Sequence, residues 1–417
     1  MKISVLIPTR DRLALLRSAV DSVLRLDDED FELVISDNVS SENVAEYVES
    51  LSDPRVIYVR TPRLLAVTDN WNNALEHSSG DYVIMLGDDD ALLSTYFTRT
   101  RRLIAEFDRP QVVYHNALVY AYPGVVPAEP RGFLRSEGYA DFLRDARQPF
   151  RLEHDRATSM VYAAMGFRLR YGFNMQFVTV ERGLIDELSG NGPFFRSPFP
   201  DYYAMNHLFL RARSIIVDPH PTVVIGVSPR SYGFFYNNNK EAAGRSFLQG
   251  DDAGARSDSP LEPLLPGTNI NDGWLGAMRE LHRELGHPAQ PRPAYARYRA
   301  LQIAHVYDAH FLRGSIDEPQ LAELQRQITR RERLLYGTVF SLLRALARIA
   351  PASVGEAIPR ALLLVQRQFP AWDPVHDSAS YENIDEVVER VDLSVDPLSW
   401  QRQRRAGLRG SLVRRLG

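Results

Sequence analysis

Cysteine is absent from this chain, which excludes disulfide frameworks, iron–sulfur clusters, zinc–thiolate sites and thiol nucleophiles. Lysine is nearly absent too. Of 49 basic residues only Lys2 and Lys240 are not arginine, an imbalance that reads as codon usage rather than mechanism. Neither charge dominates, since 53 acidic residues leave a formal charge of −4, and a dedicated nucleic-acid binder is disfavoured. Long apolar runs are also missing. The first, Ile3–Ile7, is five residues long, too short for the apolar region of a signal peptide, and no run approaches a membrane span. The expectation is a cytoplasmic protein that can still touch the inner face of the cell membrane. Two phosphate-binding fingerprints are lacking as well. Neither Gly-x-Gly-x-x-Gly nor Gly-Lys-Ser/Thr follows the first apolar run, which disfavours a dinucleotide dehydrogenase or a P-loop kinase.

What is present is a globular composition, 44 % hydrophobic and 24 % charged, which rules out collagen-like or wholly disordered chains. Its 417 residues suit two or three units. Residues 1–115 alternate strand and helix patterns, the mark of α/β architecture. Strands are expected at Ile3–Ile7, Phe31–Ile35, Val56–Val59, Tyr82–Leu86 and Val112–His115. Helical faces lie between them, the second capped by Ser40 or Ser41 and the third at Asn70–His77. In 116–235 the pattern loosens. Strands are expected at Gln176–Val180, Ser214–Val217 and Val223–Val227, and helices at Leu184–Leu188 and from Asp201 towards Arg211. Residues 236–270, with Asn-Asn-Asn, Gly-Asp-Asp and three prolines, read as a mobile loop or linker. A helical region, 271–417, completes the chain, with helices at Trp274–Leu285, Tyr295–Leu312 and Gln320–Ile349.

Ligands of doubly wound sheets sit beyond the carboxyl ends of the strands. Three candidate anchors fall there. Asp88, Asp89 and Asp90 end the fourth strand. Adjacent carboxylates repel one another as water is excluded, and a divalent cation relieves that repulsion. The plainer reading is a solvated turn that caps the next helix. Asp37 ends the second strand, where its carboxylate can accept an N–H from a heterocyclic base or close an Asx-turn with Asn38 and Ser40. Pro8-Thr9-Arg10-Asp11-Arg12 ends the first. Thr9 offers a hydroxyl and a backbone N–H, and Arg10 or Arg12 can meet phosphate.

Taken in order, Ile-Pro-Thr-Arg-Asp-Arg (7–12), Ser-Asp-Asn-Val-Ser (36–40), Thr-Asp-Asn-Trp-Asn (68–72) and Gly-Asp-Tyr-Val-Ile-Met-Leu-Gly-Asp-Asp-Asp (80–90) resemble the family 2 glycosyltransferases of the GT-A fold. The resemblance covers residues 2–115 closely and 116–235 loosely. It implies a mostly parallel α/β sheet with a helical C-terminal extension. Residues 1–115 would bind the nucleotide-sugar and 116–235 the acceptor. It also implies inverting transfer of a sugar from a nucleotide-diphosphate donor, UDP by family habit, assisted by Mn²⁺ or Mg²⁺. By the same resemblance Asp37 binds the uracil ring, with Thr9 close to the base. Asp88 contacts the ribose, and Asp89 or Asp90 holds the metal. Family members often carry Ala-Arg-Asn where this chain has Thr68-Asp69-Asn70, and Arg63 is the substitute for the missing arginine. Pro8, Arg10 and Asn70 complete the expected donor set. The implied setting is bacterial surface polysaccharide or glycolipid synthesis, with a glycan or lipid-linked acceptor.

Inverting transfer needs a general base facing the leaving phosphate across the sugar. Asp201, at a loop–helix junction 111 residues after Asp90, is the candidate, against the plainer reading of a helix cap on Ala204. Glu181, Asp186 and Glu187 are its rivals. His220, in Asp218-Pro219-His220-Pro221, is a candidate third metal ligand. His207 reads as a packed or surface residue, Trp71 as core packing and Asp27–Asp30 as a solvated helix end. Two other functions compete: a catalytically silent module that binds nucleotide-sugar or glycan, and a sugar-phosphate nucleotidyltransferase. The latter normally shows a Gly-rich loop with Arg and Lys after its first strand, which Pro8–Arg12 lacks. Gln401–Gly417 holds six arginines and no acid, with leucines interleaved at helical spacing. It suits an anionic membrane interface, while the C-terminal helices suit packing on the catalytic part or a homo-oligomer contact.

Overall fold

A computed structural model describes residues 1–237 apart from 128, 137–139 and 144–145; 248; 263–267; 270–286; 291–349 apart from 317; 376–377; and 380–392. The strands β1 (Ile3–Thr9), β2 (Phe31–Asp37), β3 (Val56–Arg60) and β4 (Tyr82–Met85) run parallel in the order β3-β2-β1-β4. β1 and β2 are buried almost throughout. That burial explains their largely apolar sequences, because helices cover both faces of a parallel sheet, and the polar interruptions Ser4 and Glu32 bond each other at 2.6 Å. The connecting helices are Leu13–Leu24, Val44–Leu51 and Val67–Glu76. The second is capped by Asn43, whose Oδ1 accepts the Glu46 N–H, and not by Ser40 or Ser41. The run Asp27–Asp30 is more than a solvated helix end, since Arg101 reaches both carboxylate oxygens of Asp28 at 2.6 and 2.7 Å.

The sheet then departs from the parallel pattern. After β5 (Ala91–Leu92) come β6 (Val112–Ala121), β7 (Phe133–Ser136), β8 (Phe150–Leu152) and β9 (Val178–Glu181). β9 lies between β4 and β6 and is antiparallel to both. β6 is therefore parallel to β4, and it runs to Ala121, past the expected His115. β10 (Ile215–Val227) pairs with β6 along its length and absorbs both strands expected at 214–217 and 223–227. The intervening Asp-Pro-His-Pro looks like a break because proline cannot donate to a ladder. The chain crosses it with register shifts at Pro221, and Asn116 Nδ2 bonds the Pro219 carbonyl at 2.9 Å. β11 (His376–Asp377) closes the edge on β7.

The C-terminal helices share the core of the sheet. Ile270–Leu285 packs on the helix Pro200–Arg211, and its buried Trp274 donates to the Ala164 carbonyl at 2.8 Å. The long helix expected at Gln320–Ile349 is two, Glu318–Gln327 and Arg330–Ile349. Thr329 and Glu332 form a reciprocal cap between them: each backbone N–H is held by the other's side chain. The helix Ile384–Asp392 returns to the sheet, burying Ile384, Val387, Val388 and Val391 against β5, β6 and β10. Most of the expected linker 236–270 and all of Gln401–Gly417 lie outside the described residues.

Candidate active site

A cavity of about 360 Å³ opens at the carboxyl ends of β1 and β4, where Thr9, Arg12, Asp88–Asp90 and Asp201 meet. The chain reverses after β4 through Gly87 and presents three aspartates whose side chains go to different partners. Asp88 accepts the Thr9 hydroxyl at 2.7 Å and the Arg12 guanidinium at 2.8 Å. Arg12 is thus an ion-pair partner inside the protein. Burial works against its cation, but Asp88 and Asp89 hold its pKa above the ordinary value. Asp90 has both oxygens occupied: Oδ1 accepts the Gly226 N–H at 2.8 Å, and Oδ2 accepts the Gly87 N–H and Gln176 Nε2, each at 2.7 Å. Burial and the charge of Asp89 push its carboxyl up to about 8. Asp89 accepts the Ser228 hydroxyl on Oδ2 at 2.7 Å. Burial raises its pKa; Arg12 opposes this and Asp88 reinforces it.

These partners decide how the acidic loop can meet a metal. Asp90 is spent on holding the loop to β10 and to the turn at Met175–Phe177, so Asp89 is the carboxylate suited to a divalent cation. A buried carboxylate crowded by like charges is relieved by such an ion. Among the described residues no three His, Asp or Glu side chains are grouped as a metal site. An ion like Mg²⁺ needs only one or two carboxylates, with substrate phosphates and water completing its shell. His220 does not join the aspartates. It sits in the β10 irregularity, where Arg99 approaches its Nδ1 at 2.7 Å and Asp218 at 3.2 Å, and it does not line the cavity. The expected third ligand is therefore a member of an Arg99–Asp218 ion-pair cluster.

On the donor side the placements differ from one residue to the next. Pro8, Thr9, Arg10, Asn38 and Asn70 line the cavity. Asn70 also ties its helix to β2 by accepting the Ser36 hydroxyl at 2.7 Å. Asp37 is fully buried and not among the lining residues. Its carboxylate accepts the Ser40 N–H at 2.8 Å, and the Tyr58 hydroxyl and Arg60 guanidinium at 2.7 Å each. Its surroundings are those of the Asx-turn reading, reinforced from β3. Arg63 is exposed and likewise absent from the cavity wall.

Asp201 does reach the cavity. It is the second residue of the helix Pro200–Arg211, inside the first turn rather than at the cap, which is Phe199. Its Oδ1 accepts the Tyr202 N–H at 3.0 Å, and not that of Ala204. Burial pushes its carboxyl up to about 7, against hydrogen bonds from the Tyr202 and Asp201 backbone N–H groups. The loop before it is fastened by the motif Thr68–Asn72. Thr68 Oγ1 donates to the Ser197 carbonyl at 2.6 Å, while Asn72 exchanges two bonds with the Phe195 backbone at 2.9 and 3.1 Å. Trp71, Phe173, Phe199, Tyr202 and Tyr232 wall this end. Trp71 both packs edge-on against Phe195 and faces the cavity, so its packing role is only half of what it does. His207 is packed against Tyr203, and burial lowers its pKa to about 4. Glu181, Asp186 and Glu187 are not on the wall.

Gln176, Gly226 and Ser228 escaped the sequence reading, because each acts on the acidic loop from far along the chain. Gly226 left one local sign. A glycine within an apolar strand marks close backbone approach, and a Cβ there would run into the Asp89 carbonyl.

An acidic loop and an aromatic-walled carboxylate thus face one cavity at the strand ends of an α/β sheet. Residues 4–164 match the family described as "Glycosyl transferase family 2", and this part of the chain is a domain of that family. A Campylobacter jejuni protein named GalNAc(5)-diNAcBac-PP-undecaprenol beta-1,3-glucosyltransferase is 38 % identical over 96 residues, 22 % of this chain and 31 % of the relative. The putative colanic acid biosynthesis glycosyl transferase WcaA of Escherichia coli K12 is 30 % identical over 141 residues, 31 % of this chain and 49 % of the relative. The chain therefore spans less than half the length of either relative. A crystal structure of S. aureus TarS 1-349 in complex with UDP-GlcNAc superposes loosely, with TM-score 0.49 and 13 % identity over 88 % of this chain and 90 % of that one.

Proposed function

We propose that the protein is an inverting glycosyltransferase that moves a sugar from a nucleotide-diphosphate donor, UDP first among the nucleotides, to an acceptor hydroxyl. The observation that carries this reading is the placement of Asp201, with its raised carboxyl, in the same cavity as Asp88–Asp90. A pKa near 7 is what a general base working at neutral pH requires. Asp201 takes the proton of the acceptor hydroxyl as its oxygen bonds to the anomeric carbon. The bond from that carbon to the diphosphate oxygen breaks on the opposite side, and the electron pair leaves with the diphosphate.

When bound at Asp89, Mn²⁺ or Mg²⁺ supplies positive charge to the leaving diphosphate. Arg12 keeps Asp88 in place beside it, and Gln176, Gly226 and Ser228 keep the loop from turning outward. Trp71, Phe199 and Tyr232 offer apolar ring faces on which the C–H face of a sugar can pack. The setting we propose is bacterial surface glycan or glycolipid synthesis, in line with the names of the C. jejuni and E. coli relatives.

The test is release of nucleotide from UDP-sugars with a panel of glycan and lipid-diphosphate acceptors, with Mn²⁺ and with excess EDTA. Metal-dependent release supports the reading, and full activity in EDTA rejects the metal's part in it. Nucleotide binding without any turnover across the panel would leave the non-catalytic binding module.

A further inference from the structure

The helix Val67–Glu76 is bonded on two opposite faces. On one, Ser36 of β2 donates its hydroxyl to Asn70 and accepts Asn73 Nδ2, each at 2.7 Å. Thr68, Trp71 and Asn72 share the other face, since residues three and four apart lie on one side of a helix. These three meet the loop 195–200. Thr68 donates to the Ser197 carbonyl at 2.6 Å, and Asn72 holds both the N–H and the carbonyl of Phe195. Trp71 sets its ring edge-on to Phe195, with centroids 5.2 Å apart. Where family members often carry alanine, this chain has Thr68, and alanine has no hydroxyl to make that bond.

The loop so held is the approach to Asp201. Ser197 sits at φ +69°, a left-handed conformation that is uncommon in residues with a Cβ. Such a conformation persists where its surroundings over-determine it, and the Thr68 bond falls on the carbonyl of Ser197 itself. Between Ser197 and Asp201 stand Pro198, Phe199 and Pro200. Both prolines have a fixed φ, and Phe199 stacks on Tyr202 with the ring planes 10° apart. A displacement of Ser197 is therefore passed to Asp201 with little slack. The titratable groups that share the cavity wall with Asp201 are Arg10, Arg12, the aspartates 88–90, Tyr202 and Tyr232. Asp272, on the helix packed alongside, is taken up by the Tyr298 hydroxyl at 2.7 Å. Burial, rather than the charge of any of these, raises the Asp201 carboxyl, so letting water reach it would lower it.

We infer that Thr68 and Asn72 are positioning residues, which act through the loop 195–200 to hold the Asp201 carboxylate in its place on the cavity wall. This rests on the reading of Asp201 as the general base.

The test is a thermal-unfolding cycle that needs no substrate. The native chain, Asp201→Asn, Thr68→Val and the double variant are melted from about pH 4 to about pH 8. In the native background Asp201→Asn should raise the melting temperature at the upper end, where it removes a buried charge. In the Thr68→Val background that gain should be lost, because the freed loop lets water reach the carboxylate. Asn72→Ala, which strips the other two bonds, should act in the same direction. Thr68→Ser keeps the hydroxyl and should restore the gain. In turnover Thr68→Val should lower kcat by about tenfold or more and move the kcat/KM limb to lower pH, with affinity for UDP and Mn²⁺ unchanged. If the gain from Asp201→Asn is the same with and without Thr68→Val, the bonds are packing only and the inference fails while the base reading stands. If Asp201→Asn gains nothing in the native background, the base reading fails and takes the inference with it.

Discussion

Gln176 Nε2 donates to Asp90 Oδ2 at 2.7 Å, joining two residues 86 positions apart in the chain. Gln176 belongs to the turn Met175–Phe177 that feeds β9, and Asp90 ends the acidic loop after β4. The bond ties the turn before β9 to the acidic loop after β4. With the Gly87 and Gly226 N–H groups it engages both oxygens of the Asp90 carboxylate.

This division of labour separates two substitutions that look equivalent in sequence. Asp89→Asn should keep the melting temperature within a few degrees of native and abolish Mn²⁺-dependent nucleotide binding. Asp90→Asn should instead destabilise the fold near pH 4, where the raised carboxyl costs nothing; at higher pH, relief of that cost offsets the loss. An amide has one acceptor oxygen, so one of the N–H donors from Gly87 or Gly226 would face an NH₂ group. A buried donor left unpaired costs about 1–3 kcal/mol. Thermal unfolding and titration with UDP and Mn²⁺ check both. Equal loss of metal-dependent binding with no loss of stability near pH 4 in Asp90→Asn would return Asp90 to the metal.

Gly226→Ala should damage the same loop from the other side. The added methyl would meet the Asp89 carbonyl oxygen, a backbone atom that cannot rotate aside. Either β10 or the acidic loop must shift, and the Gly226–Asp90 bond with it. Overpacking of this kind costs about 1–3 kcal/mol, and nucleotide-dependent thermal stabilisation should vanish. A variant with native stability and native UDP response would show that the loop is softer than its contacts suggest.

How much of this was legible follows from how far each signal reaches. β1, β2 and β4 announce themselves because parallel strands buried on both faces are mostly apolar, as in Ile3–Ile7 and Tyr82–Met85. The acidic loop and Asp201 were visible as carboxylates at element boundaries. The orientation of β9 was not, since Val178–Glu181 reads alike in either direction and only its pairing with β4 and β6 decides it. β10 was misread as two strands because Pro219 and Pro221 look like a break, and the side chain of Asn116 that bridges it lies in another strand. Asp37 shows the same limit at a single residue. Its place at a strand end was plain, but its partners Tyr58 and Arg60 belong to β3.

From those partners we expect Asp37→Ala to act on stability first. It deletes three acceptor bonds, one to a guanidinium, and a charge-assisted bond alone is worth about 1.5–3 kcal/mol. The melting temperature should fall. Any loss of UDP affinity should be matched by Tyr58→Phe/Arg60→Met, which strips two of the same bonds while leaving the carboxylate. Native stability with UDP affinity lost in Asp37→Ala alone would give Asp37 the direct contact with the base.

The last expectation concerns Asp201, where function and stability pull in opposite directions. An aspartate ordinarily titrates near 3.8, and burial moves this one to about 7 in the folded protein. Below pH 4 the folded and unfolded chains are both protonated at this group, so it costs nothing. Between pH 4 and 7 the unfolded chain ionises while the folded one holds its proton, so stability drains away as pH rises. Above 7 the full cost is present. Asp201→Asn removes the charge and keeps the shape. Its melting temperature should match native near pH 4 and exceed it by a few degrees at pH 8. Turnover should move the other way, down by about a hundredfold or more, the scale of a lost general base. In the native protein kcat/KM should rise with pH through about 7 as the carboxylate forms, and the variant should lack that limb. Donor binding should be spared if Asp201 acts, as proposed, on the acceptor hydroxyl. Near-normal turnover with the pH limb intact would move the base to Glu181, Asp186 or Glu187, none of which lines the cavity.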